Sequence, residues 1–150
     1  MKKRIKNFAP LRGVGRFIMR WYVYSSFSRK RGGNKAVAGM NARITMKIEE
    51  WVSGGGFLAP DIGLKETAAG FGVSADQLSA YCRNIIGKPF RSWRKELRIR
   101  ESMRLLLERP ELSTRDVAEL VGVMDKSDFR RQFTEICGCS PAEWRRKAGK

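Results

Sequence analysis

Two short stretches of this chain repeat one another at a distance of 51 residues. "GKPFRSWRK" (87–95) and "GCSPAEWRR" (138–146) both open on Gly, reach a Trp six residues on, and follow it with two cations. At the same offset Leu78 matches Phe129 and Cys82 matches Phe133. Further upstream the offset becomes 50, where Ala68, Gly72 and Val73 match Ala118, Gly122 and Val123. One extra residue in the second copy's turn accounts for the change. A fold is therefore required in which one unit, over about 63–95, is built again over about 113–146.

Each unit reads as helix, tight turn, helix, turn and short helix. "SADQ" (Ser74, Gln77) and "STRD" (Ser113, Asp116) are capping boxes, in which an N-cap hydroxyl and a side chain three residues on satisfy each other's backbone N–H. "SPAE" opens the last helix with Ser140 as cap and Pro141 at its first position. Gly72 and Gly122 can take the left-handed conformation that ends a helix in a tight turn. Ala68 and Ala118, four residues earlier, are small enough for two helices to cross steeply there, as a helix-turn-helix requires. Apolar spacing turns Leu78, Tyr81, Cys82 and Ile85 inward in the first unit, and Phe129, Phe133 and Ile136 in the second.

Between the units, residues 90–109 contain no Gly or Pro, and Pro110 stops the run. About 20 helical residues span ~30 Å, close to the ~34 Å between successive major-groove segments on one DNA face. Leu97, Ile99, Met103, Leu106 and Leu107 provide apolar contacts for both units, while Arg91, Arg94, Lys95 and Arg98 form a basic side. The net charge of +16 points to a polyanionic partner, nucleic acid first. Much of that charge lies at the start: residues 1–56 carry 13 Lys/Arg against 2 acids, and residues 57–150 carry 18 against 13.

These residues resemble the AraC/XylS family of bacterial transcription regulators over about 44–147. The most characteristic phrases are "LRIRESMRLLLE", "LSTRDVAELVG", "DFRRQF" and "GCSPAEWRR". The resemblance implies an all-α fold of two helix-turn-helix subdomains joined by a long linker helix, a homeodomain-like tandem. Unit one then occupies about 41–89, with "MKIEEWV" supplying its first helix through Ile44, Ile48 and Trp51. The linker helix occupies about 90–109 and unit two about 112–147. The implied function is sequence-specific DNA binding, the second helix of each unit entering the major groove at adjacent turns.

In the first reading helix Ala75, Asp76, Ser79, Ala80 and Arg83 face outward, and the resemblance assigns base contact to Asp76, Ser79 and Ala80. Asp76 can accept from a cytosine amino group or serve the helix N-terminus electrostatically; Arg83 suits a phosphate. In the second, Lys126, Ser127, Arg130, Arg131 and Thr134 face outward. Arg131 falls on the family's basic base-reading position, and Arg can grip guanine O6 and N7 together. Arg91 on the linker suits a phosphate, as do the helix N-termini at Ser74, Ser113 and Ser140. Three departures from the family's pattern stand out. Gly63 occupies an N-cap that more often carries Ser or Thr, Cys82 stands where a large aromatic is usual, and Val123–Met124 replace a Gly-Phe-Ser run.

Residues 1–40 hold 11 cations and no acid, with an aromatic cluster at Phe17, Trp21, Tyr22, Tyr24 and Phe27. They read as a flexible basic arm with DNA affinity; membrane or partner contact, a remnant of a larger region, and a true start at Met40 or Met46 are the alternatives. The family's usual effector-binding companion domain does not fit into these fifty-odd residues. With no histidine, no phosphate-cradling Gly loop and no paired carboxylates, an enzyme is not expected, and no catalytic residue, metal ligand or cofactor is assigned. "GGG" at 54–56 reads as a loop spacer. Cys82, Cys137 and Cys139 read as structural thiols in a reducing compartment, and no stretch suits a membrane span. The expectation is a cytoplasmic protein with double-stranded DNA as partner and RNA polymerase as a candidate second one, in an undetermined oligomeric state. The competing reading is a protein-interaction module without sequence specificity of its own.

Overall fold

A computed structural model describes residues 35–148, and the basic arm up to residue 34 lies outside it. Among the described residues there are seven α-helices and no strand. They are α1 (Lys35–Ser53), α2 (Leu64–Phe71), α3 (Ala75–Tyr81), α4 (Phe90–Glu108), α5 (Thr114–Leu120), α6 (Lys126–Cys137) and α7 (Pro141–Ala148). A 3₁₀ turn, Gly56–Leu58, follows α1, and a π-helical turn, Cys82–Ile86, continues α3. The expected boundary at residue 40 falls inside α1, which already runs from Lys35.

The repeat is visible bond for bond at the two sharp turns. Gly72 N–H donates to Ala69 O and Val73 N–H to Ala68 O; fifty residues on, Gly122 N–H donates to Glu119 O and Val123 N–H to Ala118 O. Gly72 and Gly122 have φ of 69° and 76°, and Ala68 and Ala118 are fully buried beneath them. The Ser74, Ser113 and Ser140 boxes are all closed in both directions. At Gly63 only half a box exists: Glu66 accepts from the Gly63 N–H at 2.9 Å, but glycine has no hydroxyl to return the bond.

Two cores hang on one helix. α4 gives Phe90, Trp93 and Leu97 to the first, with Ile44, Ile48 and Val52 of α1, Phe71 of α2, and Leu78 and Tyr81 of α3. Trp51 is half-buried at its edge, its ring 5.9–6.2 Å from those of Phe57, Phe71, Phe90 and Trp93. One turn further along, α4 turns Ile99 and Leu106 into the second core against Val117, Val121, Phe129 and Phe133. Leu58 packs against both cores. "GGG" is more than a spacer: Gly55 has φ of 75°, and a Cβ on Gly56 would run into the Trp51 ring.

Two side-chain placements differ from the sequence reading. The π turn also buries Ile86, which the sequence reading left out, while Ile85 is half-buried and packed against the same core as expected. Arg94 and Arg98, expected on the basic side of α4, are turned toward the 57–62 segment. Arg94 donates to the carbonyls of Phe57 (3.0 Å), Ala59 and Ile62. Arg98 donates to Phe57 O and Ala59 O, both at 2.7 Å, and to Gly122 O at 3.1 Å. The irregular 57–62 backbone has no helical partner for these oxygens, and buried acceptors require donors.

Candidate nucleic-acid interface

The repeated helix caps position the second helix of each unit, the two expected to read DNA. α3 starts at the Ser74 box and runs through the π turn to Gly87, whose φ is 86°. α6 starts where the Asp125 carboxylate accepts from the Asp128 N–H at 2.7 Å, and ends at Gly138 with φ of 74°. Cys82, Leu78, Phe129 and Phe133 anchor their inner faces. On the outer faces Asp76, Ala80 and Arg83 of unit one and Lys126, Ser127, Arg130, Arg131 and Thr134 of unit two are exposed; Ala75 and Ser79 are half-buried.

A cleft of about 820 Å³ lies between the units, with α4 as its floor. Of the residues expected to meet nucleic acid, it brings together Ser79, Arg83, Arg91 and Arg131. Ala75, Asp76, Ala80, Lys126, Ser127, Arg130 and Thr134 lie outside its lining. The second helices of both units thus border one concave surface. Lys95 also lines it, and its Nζ donates to Glu135 of α6 at 2.9 Å. Sequence reasoning placed Lys95 on the basic side of α4 without making it a site residue; its neighbour Arg91, four residues back on the same helical face, was the available signal.

The cleft is not uniformly basic. Asp125, Asp128 and Glu135 share it with the cations. Arg131 pairs with Asp128 three residues back, and Gln132 Nε2 donates to the other carboxylate oxygen at 3.2 Å. The Arg131 guanidinium, by hydrogen bond and charge, holds the Asp128 carboxyl below its ordinary value, with Gln132 and Arg91 adding to the effect. Arg131 is therefore pre-aimed by its own helix while remaining 73% exposed. The capping boxes at Ser74, Ser113 and Ser140 use the N-cap and third-position N–H groups internally, which leaves fewer backbone donors there than the sequence suggests.

Burial drives the Cys82 and Cys137 thiols up to about 12. Thiols protonated at neutral pH are poor nucleophiles and poor ligands. Among the described residues no helix is long and apolar enough to cross a membrane, and no cluster of three or more His, Cys, Asp or Glu could hold a metal ion.

A family profile described as a helix-turn-helix domain matches residues 67–147, more than half of the chain. The chain belongs to the AraC-type helix-turn-helix family. It therefore carries the DNA-binding domain of a transcription regulator. The chain is similar to the C-terminal domain of AraT, a response regulator from Geobacillus stearothermophilus, at 25% identity and a TM-score of 0.58, covering 76% of this chain and 86% of that one. The same fold is seen in a DNA-binding transcriptional dual regulator from Escherichia coli K-12, at 20% identity and a TM-score of 0.59, over 81% of this chain and 97% of that one. It is seen again in the C-terminal domain of the two-component response regulator yesN from Fusobacterium nucleatum, at 22% identity and 0.56, over 69% and 94%. No curated protein matches the chain.

Proposed function

We propose that this AraC-type protein is a sequence-specific transcription regulator whose α3 and α6 enter successive major-groove segments of one duplex. The observation that carries this reading is the shared cleft: Ser79 and Arg83 on one wall, Arg131 on the other, Arg91 and Lys95 on the floor. The phosphate backbone between the two grooves runs over that floor. Arg131, with Lys126 and Arg130 beside it, reads bases; Asp76, Ser79 and Ala80 read more weakly from unit one. Arg83, Arg91 and Lys95 hold phosphates, Lys95 by exchanging Glu135 for a phosphate oxygen. The protein works in the cytoplasm without a cofactor and catalyses no reaction. Leu120, 52% exposed at the second turn and outside the cleft lining, offers an apolar contact for a protein such as RNA polymerase.

Selection of bound duplexes from a random DNA pool tests the reading. Two preferred blocks, centred about one helical turn apart, are expected. One block would reduce the protein to a single reading head, and no enrichment would favour the interaction module. Arg91→Ala should weaken all duplexes alike and lower the salt slope by about one; an unchanged slope removes Arg91 from the interface.

A further inference from the structure

Arg98 is the one α4 side chain described above that hydrogen-bonds to backbone of both units. Its Nε and one terminal nitrogen reach Phe57 O and Ala59 O, which belong to unit one. Its other terminal nitrogen reaches Gly122 O, in the sharp turn of unit two. Arg94, one helical turn earlier, grips the same Phe57 and Ala59 oxygens and adds Ile62 O. All six of these hydrogen bonds end on backbone carbonyls. Arg94 is buried and Arg98 half-buried, at the cleft floor; a cation drawn out of water is tolerated only where dipoles or counter-charges replace it, and here the converging carbonyls do so.

The backbones themselves meet at this point. Gly122 has φ of 76°, and any Cβ there would collide with the Leu58 carbonyl oxygen. Leu58 is shared by the two cores. Burial lowers the affinity of both guanidiniums for their protons, Arg98 to about 10 with the Arg94 charge adding, so both remain charged at neutral pH. Two further polar ties join α4 to unit two: Arg145 of α7 donates to Leu106 O at 3.0 Å, away from the cleft, and Lys95–Glu135 at the cleft has its carboxylate largely exposed, a kind of pair that holds little.

We propose that Arg94 and Arg98 form a guanidinium clasp that locks the two helix-turn-helix units at one angle, and that this angle sets the spacing between base blocks that the protein accepts. Arg98 is the positioning residue; it touches no base. The locking follows from the clasp alone, and its consequence for spacing rests on the two-headed reading above. Five of the six bonds fix α4 to unit one and the sixth ties Gly122 of unit two to the same guanidinium; with Leu58 O packed against Gly122 the joint is stiff, so a duplex with the wrong spacing cannot be met by bending the protein.

Arg98→Lys and Arg98→Met are the variants, with Arg115→Met as a control for lost charge away from the joint. Residual dipolar couplings on the free protein read the angle without DNA. One alignment tensor should fit both units of the wild type and of the control. For Arg98→Met the two units should need separate tensors while each still fits internally, and Arg98→Lys should fall between. A single shared tensor in both variants overturns the clasp. Should Arg98→Met not fold, Arg98→Lys carries the test, since an ammonium cannot span three carbonyls in the plane of a guanidinium.

The second arm titrates duplexes carrying the selected blocks with zero, one or two extra base pairs between them. The wild type should lose at least tenfold in affinity per inserted pair, and Arg98→Met less than threefold. A wild-type penalty retained in Arg98→Met overturns the spacing role. A wild type indifferent to spacing overturns the two-headed reading and the spacing role together, and leaves the tensor result to judge the clasp.

Discussion

The two halves of this molecule are copies in backbone and unequal in side chains. Unit one fills the shared core position with Cys82, unit two with Phe133, both fully buried. The second helix of unit one, α3, is seven residues of α-helix with a π turn behind it, presenting Asp76, Ser79 and Ala80. Its counterpart in unit two, α6, is twelve unbroken residues presenting Lys126, Arg130 and Arg131. Unit one packs its smaller core residue beside α1 and the aromatic group around Trp51. The two units thus share the bonds that make their turns and differ on their outer faces, one lined by small polar side chains and the other by cations.

Paired substitutions at equivalent positions probe that inequality. Phe133→Ala should cost about 3–5 kcal/mol in urea unfolding, and Cys82→Ala about 1 kcal/mol, because far less volume is removed. Equal losses would mean that unit one depends on Cys82 as heavily as unit two on Phe133. On the preferred duplex Arg131→Ala should cost about 1–3 kcal/mol and loosen one base pair, against less than about 0.5 kcal/mol for Ser79→Ala. A loss on random DNA equal to that on the preferred site would make Arg131 a phosphate contact.

The two units should share one alkaline weakness. Cys82 and Cys137 ionise only near 12 when folded, against an ordinary 9.0. A raised pKa leaves stability intact below the unfolded value and removes it as pH climbs from 9 toward 12, by at most about 1 kcal/mol per thiol per pH unit. A Cys82→Ala/Cys137→Ala chain should show a flatter profile over that window. The smallest contrast lies at the caps. Ser113→Ala should cost about 1 kcal/mol, whereas Gly63→Ser should gain a few tenths by completing the half box with Glu66. Thermal melts compare the two directly.

Sequence alone determined most of what is local in this protein. Capping boxes, left-handed glycines and the alanines beneath the turns act within four or five residues, so their spacing carries the whole geometry, and the repeat states it twice. The exposed faces of α3 and α6 follow from the same periodicity, apart from the π turn, which adds Ile86 to the buried side beside Ile85. Tertiary structure decided which cations face solvent. Arg91, Arg94, Lys95 and Arg98 look alike on a helical projection, yet only the position of the 57–62 backbone makes two of them internal donors. The echo "Trp-Arg" acquires its sense there too: Arg94 and Arg145 each reach back to backbone carbonyls, Arg145 to Leu106 and Leu112 at 3.0 and 2.7 Å. A guanidinium's role depends on which acceptors water has left, and those acceptors come from residues more than thirty positions away.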